Sequence, residues 1–354
     1  MSISAKPVMC IDAFRSLSQQ CLELLKGSLD DLEYHFRHKR TSELLCYRSQ
    51  RGLLDIDNIE PSLFRQQFGF EKEDFNDLFR ALKRPDTMKS AQNVIVRSRE
   101  ALCVTLRHLA YPNRCCDLEA IFGRHSSVMP SVASEVIFYT VSEFQHLLED
   151  CNNHDWLCPA TVGELANAIQ NHGAALTNRW AFIHGTARPI CRPKRNQRDY
   201  FSGHKRMHIL KYQSAMCSNG IVCQLDGPCP GRQHDESRLP CVYSSAVASM
   251  RNIYGDPAYP LKPVLMKLYG GSSLTTMQLA FNSSVSRVRQ AVEWRSGKVV
   301  TKFAFLDFKK NQKLLRQQVA HMYKAASILS VTRVCAAATC LNTLNFFHLV
   351  YMSA

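Results

Sequence analysis

Two apolar, β-rich runs, at 206–217 ("RMHILKYQSAMC") and 220–225 ("GIVCQL"), meet at Asn219-Gly220. Asn-Gly between such runs is the strongest short-range signal for a tight hairpin, because both residues tolerate positive φ. A third run, "WAFI" at 180–183, precedes them and ends on His184-Gly185-Thr186. These segments force a sheet into a chain whose first 150 residues read as helix. Further on, a loop ("DGPCPGRQHDES"), a short helix, a strand ending at "IYGDPAYP" and the helical "SVSRVRQAVEWRSGK" follow in order. Strands first, then alternating helix and strand, indicate a mixed α/β domain.

In the helical part, "SAQNVIVRSREALCVTLRHLAY" (90–111) sets Ile95, Leu102, Leu106 and Leu109 on one face and stops at Pro112. "CDLEAIFG" (116–123) makes a short helix, with Asp117 as N-cap and Gly123 as the stop. A longer helix follows over 125–149, capped by Ser126 or Ser127, with Pro130 in its first turn. Helix, short helix, turn and longer helix over 95–149 fit a helix-turn-helix or a plain bundle. The third helix carries few basic residues, which argues against reading DNA with it.

The charge is concentrated. The chain has 44 basic and 30 acidic residues, a net +14. From 188 to 211 there are eight lysines or arginines against one acid, and from 287 to 324 ten against two. Those windows hold essentially all of the excess, which favours a polyanion over two merely solvated faces. Apolar content of 45% with 21% charged residues excludes wholesale disorder.

The fifteen cysteines read as free thiols, because the N-terminus lacks the apolar stretch of a secretory signal. On the same ground the sequon at Asn282 carries no meaning. Cys217, Cys223 and Cys229 lie near His204, His208 and His234, but without a C-x-x-C pair they read as buried cysteines, not a zinc site. Residues 334–354 contain no Asp, Glu, Lys or Arg and have the length of a membrane span; Asn342, Thr343, Asn345 and His348 interrupt them, so a terminal packed or loose segment is expected, not a span.

Carboxylates on separate strand tips and a helix in a basic protein suggest two-metal phosphoryl transfer, with basic loops on the phosphates. The motifs "W-x-F-I-x-G-T-x-R-P-I-C-R-P", "Q-R-x-x-x-x-G-H-K-R-x-H-x-L-K-Y-Q-S", "N-G-I-V", "D-G-P-x-x-G-R-x-H-D-x-x-x-L", "G-D-P-A-Y-P-L" and "V-E-W" occur in order. Together with the helical block from Leu102 to Arg124, they make the chain resemble the PIF/Harbinger superfamily of DDE transposases, which includes the Harbinger transposase-derived nucleases. The resemblance spans roughly residues 95–325.

It implies an α/β, RNase H-like catalytic domain (175–330), a mixed sheet flanked by helices. A helical, helix-turn-helix-like N-terminal region (1–150) would precede it, and an apolar tail (331–354) would follow. It also implies cleavage and joining of DNA through two divalent ions, Mg²⁺ or Mn²⁺. The family's second aspartate falls on Asp235, and either Asp256 or Glu293 completes the set. Where the family has Asp-Gly-Thr, this chain has His184-Gly185-Thr186. A neutral imidazole cannot bridge two hard cations, so activity is expected to be impaired or lost. Asp226 at a neighbouring strand end is read as a turn residue; compensation for the missing acid is the lesser reading. Arg188, Arg192, Lys194, Arg195, Arg198, Lys205, Arg206, Lys211 and Arg232 are the expected DNA contacts. A Myb-like companion protein, a homo-oligomer and a nuclear location (cytoplasm being the alternative) complete what the family suggests. An inactive binding factor and a decayed transposon copy remain open alternatives.

Overall fold

A computed structural model of the protein describes residues 52–112, 114–233, 252–255, 265–314 and 317–340; for 290–298, 300, 311 and 331–340 it describes the backbone only. Two compact units divide the chain. The smaller contributes described residues 52–59 and 116–126, and the larger holds the remainder.

In the larger unit, α1 (Pro61–Phe68) and α2 (Lys72–Ala81) precede a hairpin of β1 (Thr87–Lys89) and β2 (Ile95–Arg97). That hairpin corrects the expected helix over 90–111. The helix α3 starts only at Ser98 and ends at Ala110. Asn93 at φ 62 makes the turn, and Ile95 lies in strand with its side chain 66% exposed. From Glu100 to Leu109 every residue of α3 is buried, so it is a central helix and not a one-sided one. Tyr111 is already extended, one residue before Pro112, because the residue before proline is pushed out of helical φ/ψ.

The smaller unit holds most of α4 (Cys115–Phe122). Asp117 is the third residue of the helix, inside its first turn and not at the N-cap, so the helix starts three residues before the position that cap implied. Gly123 stops it in the left-handed region at φ +69, donating its N–H to Glu119 O at 2.9 Å. A Cβ there would lie 1.9 Å from Gly52 O, so only glycine fits.

In the larger unit, α5 (Val128–Phe144) carries Pro130 as its third residue, where no helical N–H is lost. Next come α6 (His146–Glu149), a 3₁₀ turn at Cys151–Asn153 and α7 (Pro159–Asn171). The sheet follows: β3 (Arg179–Pro189), then α8 (Gln197–Tyr200), β4 (Phe201–Ser202), β5 (Met207–Cys217) and β6 (Val222–Pro230). The described parts of two more strands are β7 (Asn252–Tyr254) and β8 (Leu265–Met266). β3 is central: antiparallel β5 lies on one side, itself flanked by β4 and β6, and parallel β7 then β8 lie on the other.

The expected hairpin is present. Gly220 takes φ 79 and donates to Cys217 O, while Asn219 Oδ1 accepts from Ile221 N–H at 3.1 Å. The last helices are α9 (Thr276–Lys302), opened by a Thr275/Gln278 capping box, and α10 (Val319–Cys340). The former runs further in both directions than the segment expected from sequence, and it buries Val285 and Val288 as that segment predicts.

Side chains on β3 alternate between two covered faces. Ala181 and Ile183 pack with Val162, Leu165 and Ala166 of α7, alongside Ala215 and Cys217 of β5. Phe182 turns the other way and stacks on Tyr254, ring centroids 5.7 Å apart. On that second face Tyr323 of α10 meets the Tyr212 ring at 4.5 Å. Helices therefore flank a mixed sheet on both sides. Cys217, Cys223 and Cys229 are buried free thiols, Cys223 within 3.6 Å of the Cys151 sulfur. No helix among the described residues is long and apolar enough to cross a membrane. Of the tail, 334–340 continues α10, and 341–354 lies outside the described residues.

Candidate functional site

Buried as far as Ile183, β3 then surfaces: His184 is half-buried and Gly185 exposed. Alternation puts His184 on the face of Phe182 and Thr186. β3 does not end on His184-Gly185-Thr186 as expected from sequence: pairing with β5 carries it on through Pro189. The His184 carbonyl accepts from Ser214 Oγ at 3.3 Å, which adds a side-chain tie to β5 in mid-strand.

Asp226 is not a turn residue. It lies inside β6, paired with Gln213, which pairs in turn with Gly185. His184, Ser214 and Leu225 form the adjoining row. Neighbouring rows of a pleated sheet point to opposite faces, so the Asp226 carboxylate and the His184 imidazole are on opposite sides. That parity argues against compensation by Asp226, which is the last residue of regular register before a bulge in β6. Its Oδ1 instead accepts from the Gly227 N–H at 2.9 Å.

Asp235 and Asp256 lie outside the described residues; Glu293 lies in the helical backbone of α9, its side chain outside the description. The backbone leading to two of these acids is firmly anchored. Arg232 N–H donates to Asp199 O at 2.8 Å, and Lys211 Nζ donates to Gln233 O at 2.8 Å. At Gly231 a Cβ would come within 2.5 Å of Tyr200 O, so the chain passes there only as glycine. Lys211 faces Ala187 across β5 and β3. On the other flank β7 pairs Tyr254 with Phe182, and Gly255 N–H reaches Met266 O at 2.8 Å.

The carboxylates expected to hold a divalent cation, at 235, 256 and 293, lie outside the described side chains. Among the described residues no group of three or more His, Cys, Asp or Glu comes together. The imidazole of His184 alone offers one nitrogen, where Mg²⁺ takes oxygen ligands.

The connection from β3 to β5 is dense in cations. Arg192, Lys194, Arg195, Arg198, Lys205 and Arg206 are all exposed, as is Arg232 beyond β6. Asn196 and Arg206 take left-handed backbone at φ 54 and φ 51 to make the two turns that display them. Arg192 is braced by a 2.8 Å bond from Nε to Gln197 Oε1.

Two of the nine expected contacts are engaged differently. Lys211, half-buried, donates to Gln233 O as described above. Arg188 is 15% exposed, ion-paired to Asp307 at 2.9 Å and stacked over Tyr323 at 5.3 Å. Nothing in linear sequence signals that commitment, since the partners lie 119 and 135 residues away.

The two basic windows also converge. Cys191 N–H donates to Gln312 O at 2.9 Å, which sets exposed Lys309, Lys310 and Lys313 beside Arg192. His208 feels both groups: burial first, then Arg192 and Lys309, depress its pKa. One continuous cationic surface results from segments a hundred residues apart. A long-range backbone bond of this kind leaves no periodicity or motif in the sequence.

Comparison with curated proteins and with solved structures returns no match. Comparison with protein families returns one that bears on the site: residues 183–332 match the family model described as DDE superfamily endonuclease. The match opens one residue before His184 and takes in β5, β6, α9 and the positions of Asp235, Asp256 and Glu293. From the middle of the central strand to α10, this part of the chain is similar to DDE superfamily endonucleases.

Proposed function

We infer that the protein is a transposase-derived, DDE-type endonuclease-like protein of the PIF/Harbinger kind that binds DNA and cleaves it poorly or not at all. The observation that carries this reading is the middle of β3: His184-Gly185-Thr186 on the central strand of a mixed sheet, where the strand leaves the core, beside a continuous surface of exposed cations.

Backbone register supports an RNase H-like reading of the site. His184 follows Phe182 by two residues, and Asp256 follows Tyr254, the parallel partner of Phe182, by two as well. Asp235 follows two residues after Gln233, which is bonded to the β5 residue opposite Ala187. The described backbone that precedes each acid in sequence, at Tyr254–Gly255 and at Gln233, thus flanks the Phe182–Ala187 part of β3, and Glu293 on α9 or Asp256 would complete the set. The DDE superfamily usually uses divalent metal ions. With histidine at the first position the chain lacks a carboxylate that two such ions would share. Binding through phosphate contacts needs no such group.

The test is cleavage of plasmid DNA with Mg²⁺ and with Mn²⁺, comparing wild type with His184→Asp and Asp235→Ala. Feeble cleavage by wild type and a gain of tenfold or more in His184→Asp are expected. Robust wild-type cutting that Asp235→Ala abolishes overturns the impaired reading; no gain in His184→Asp overturns the placement of the site. A Myb-like companion, a homo-oligomeric state and a nuclear location belong to the same proposal and rest on the resemblance.

A further inference from the structure

Within the cationic surface, exposed aromatic rings have no use in phosphate contact. Phe308, beside Lys309, is 37% exposed and Phe201, in β4, 42%, while Phe64, Phe68, Phe70, Phe75, Phe122 and Phe182 are essentially fully buried. Of these two rings, the one on the charge-rich connection from β3 to β5 is Phe201. Its ring meets that of His208, its register partner on β5, at 5.5 Å and 67°, edge against face. The pair is held by a tight turn through Gly203 and Arg206. Exposed Lys205 and Arg206 follow on that turn, Arg198 lies three residues before Phe201, and Arg192 and Lys309 flank His208.

An exposed ring inside a cationic surface combines the two components of single-strand recognition: charge that tracks the phosphates and an aromatic face on which a base can stack. Duplex DNA offers its phosphates to such a surface but keeps its base faces inside the helix. Only an unpaired base can present a face to Phe201. The T-shaped contact with His208 restrains the ring, which lowers the rotamer entropy lost on stacking.

We propose that Phe201, braced by His208 and ringed by Arg192, Lys205 and Arg206, is a stacking platform for an unpaired base of single-stranded DNA. The proposal rests on the DNA-binding reading above and adds to it a preference for DNA with an unpaired segment.

The test measures fluorescence anisotropy with a fluorescein-labelled 15-nucleotide oligo-dT and a 15-base-pair duplex, each against wild type, Phe201→Ala, Phe201→Trp and Arg206→Gln. Phe201→Ala is expected to weaken oligo-dT binding about tenfold and duplex binding by less than about twofold. Phe201→Trp should retain oligo-dT affinity, with its added tryptophan emission quenched by oligo-dT and not by duplex. Arg206→Gln should weaken both probes alike. If Phe201→Ala weakens both probes equally, or neither while duplex binding persists, the platform is overturned and the DNA reading stands. If wild type binds neither probe at low salt, both are overturned.

Discussion

Arg188 Nη1 lies 2.9 Å from Asp307 Oδ1, joining the outer half of β3 to the 3₁₀ turn Ala304–Asp307 that follows α9. Two segments of the DDE-like region, one after His184 and one after Glu293, are thereby clamped together. Because Asp307 is 48% exposed, water screens the pair, and its coupling is worth about 1 kcal/mol or less. Arg188→Ala should cost more than Asp307→Asn, since it also removes the packing on Tyr323. A double-mutant cycle from urea melts measures the coupling; equal single costs with zero coupling would show that the clamp is idle.

Commitment of Arg188 to Asp307 also predicts how binding responds to salt. Affinity for duplex DNA should fall steeply as salt rises, because each neutralised phosphate releases counterion. Arg195→Gln and Arg206→Gln, both exposed, should each reduce the log–log slope by about one. Arg188→Gln should leave that slope within error. Titrations at four salt concentrations read it directly, and a flat wild-type response would remove the electrostatic basis of the proposed function.

Buried His108 on α3 makes the fold sensitive to acid. Its ring packs on Phe305 at 4.4 Å, and burial lowers its pKa to about 4 from 6.5. A depressed histidine pKa means the unfolded chain takes up the proton first as pH falls. Stability from this group is complete above about pH 6.5 and drains away between there and pH 4, at about 1.4 kcal/mol per pH unit. Comparing urea melts at pH 7 and pH 5, His108→Phe should lose about 2 kcal/mol less than wild type. Parallel losses in the two proteins would place the acid sensitivity elsewhere.

Phe182 is the packing counterpart of His184 on the same face of β3. It is 1% exposed and stacked on Tyr254, so Phe182→Ala should cost about 3–5 kcal/mol by thermal or urea denaturation. Phe182→Leu should recover more than half of that loss. A cost below about 1 kcal/mol for the alanine variant would mean that β3 and β7 are not held together by this stack.

The sheet was legible because its signals are local. An Asn-Gly turn and short apolar runs identify β5, β6 and the inner half of β3, and "SVSRVRQAVEWRSGK" identifies the middle of α9. Other features depend on distant partners. The β1–β2 hairpin hides in a stretch that reads as helix, and its register is set by pairing, Met88 with Val96, not by composition. Asp226 reads as a turn because Gly and Pro follow it, yet β5 extends the pairing through Pro230. For the candidate region, motif order pointed to DDE transposases, and the match over 183–332 agrees with that at the level of the DDE superfamily. The commitment of Arg188 and the meeting of the two basic windows needed tertiary contacts.

The bond from Cys191 N–H to Gln312 O makes the cationic surface a discontinuous epitope. A peptide spanning 188–211 carries eight positive charges but none of the lysines at 309, 310 and 313, and nothing to hold its own in line. Point substitutions in either segment will therefore behave as neighbours and fail to add, although a hundred residues separate them. In a chain with this topology, damage to the turn at 309–312 would be felt at the far end of β3.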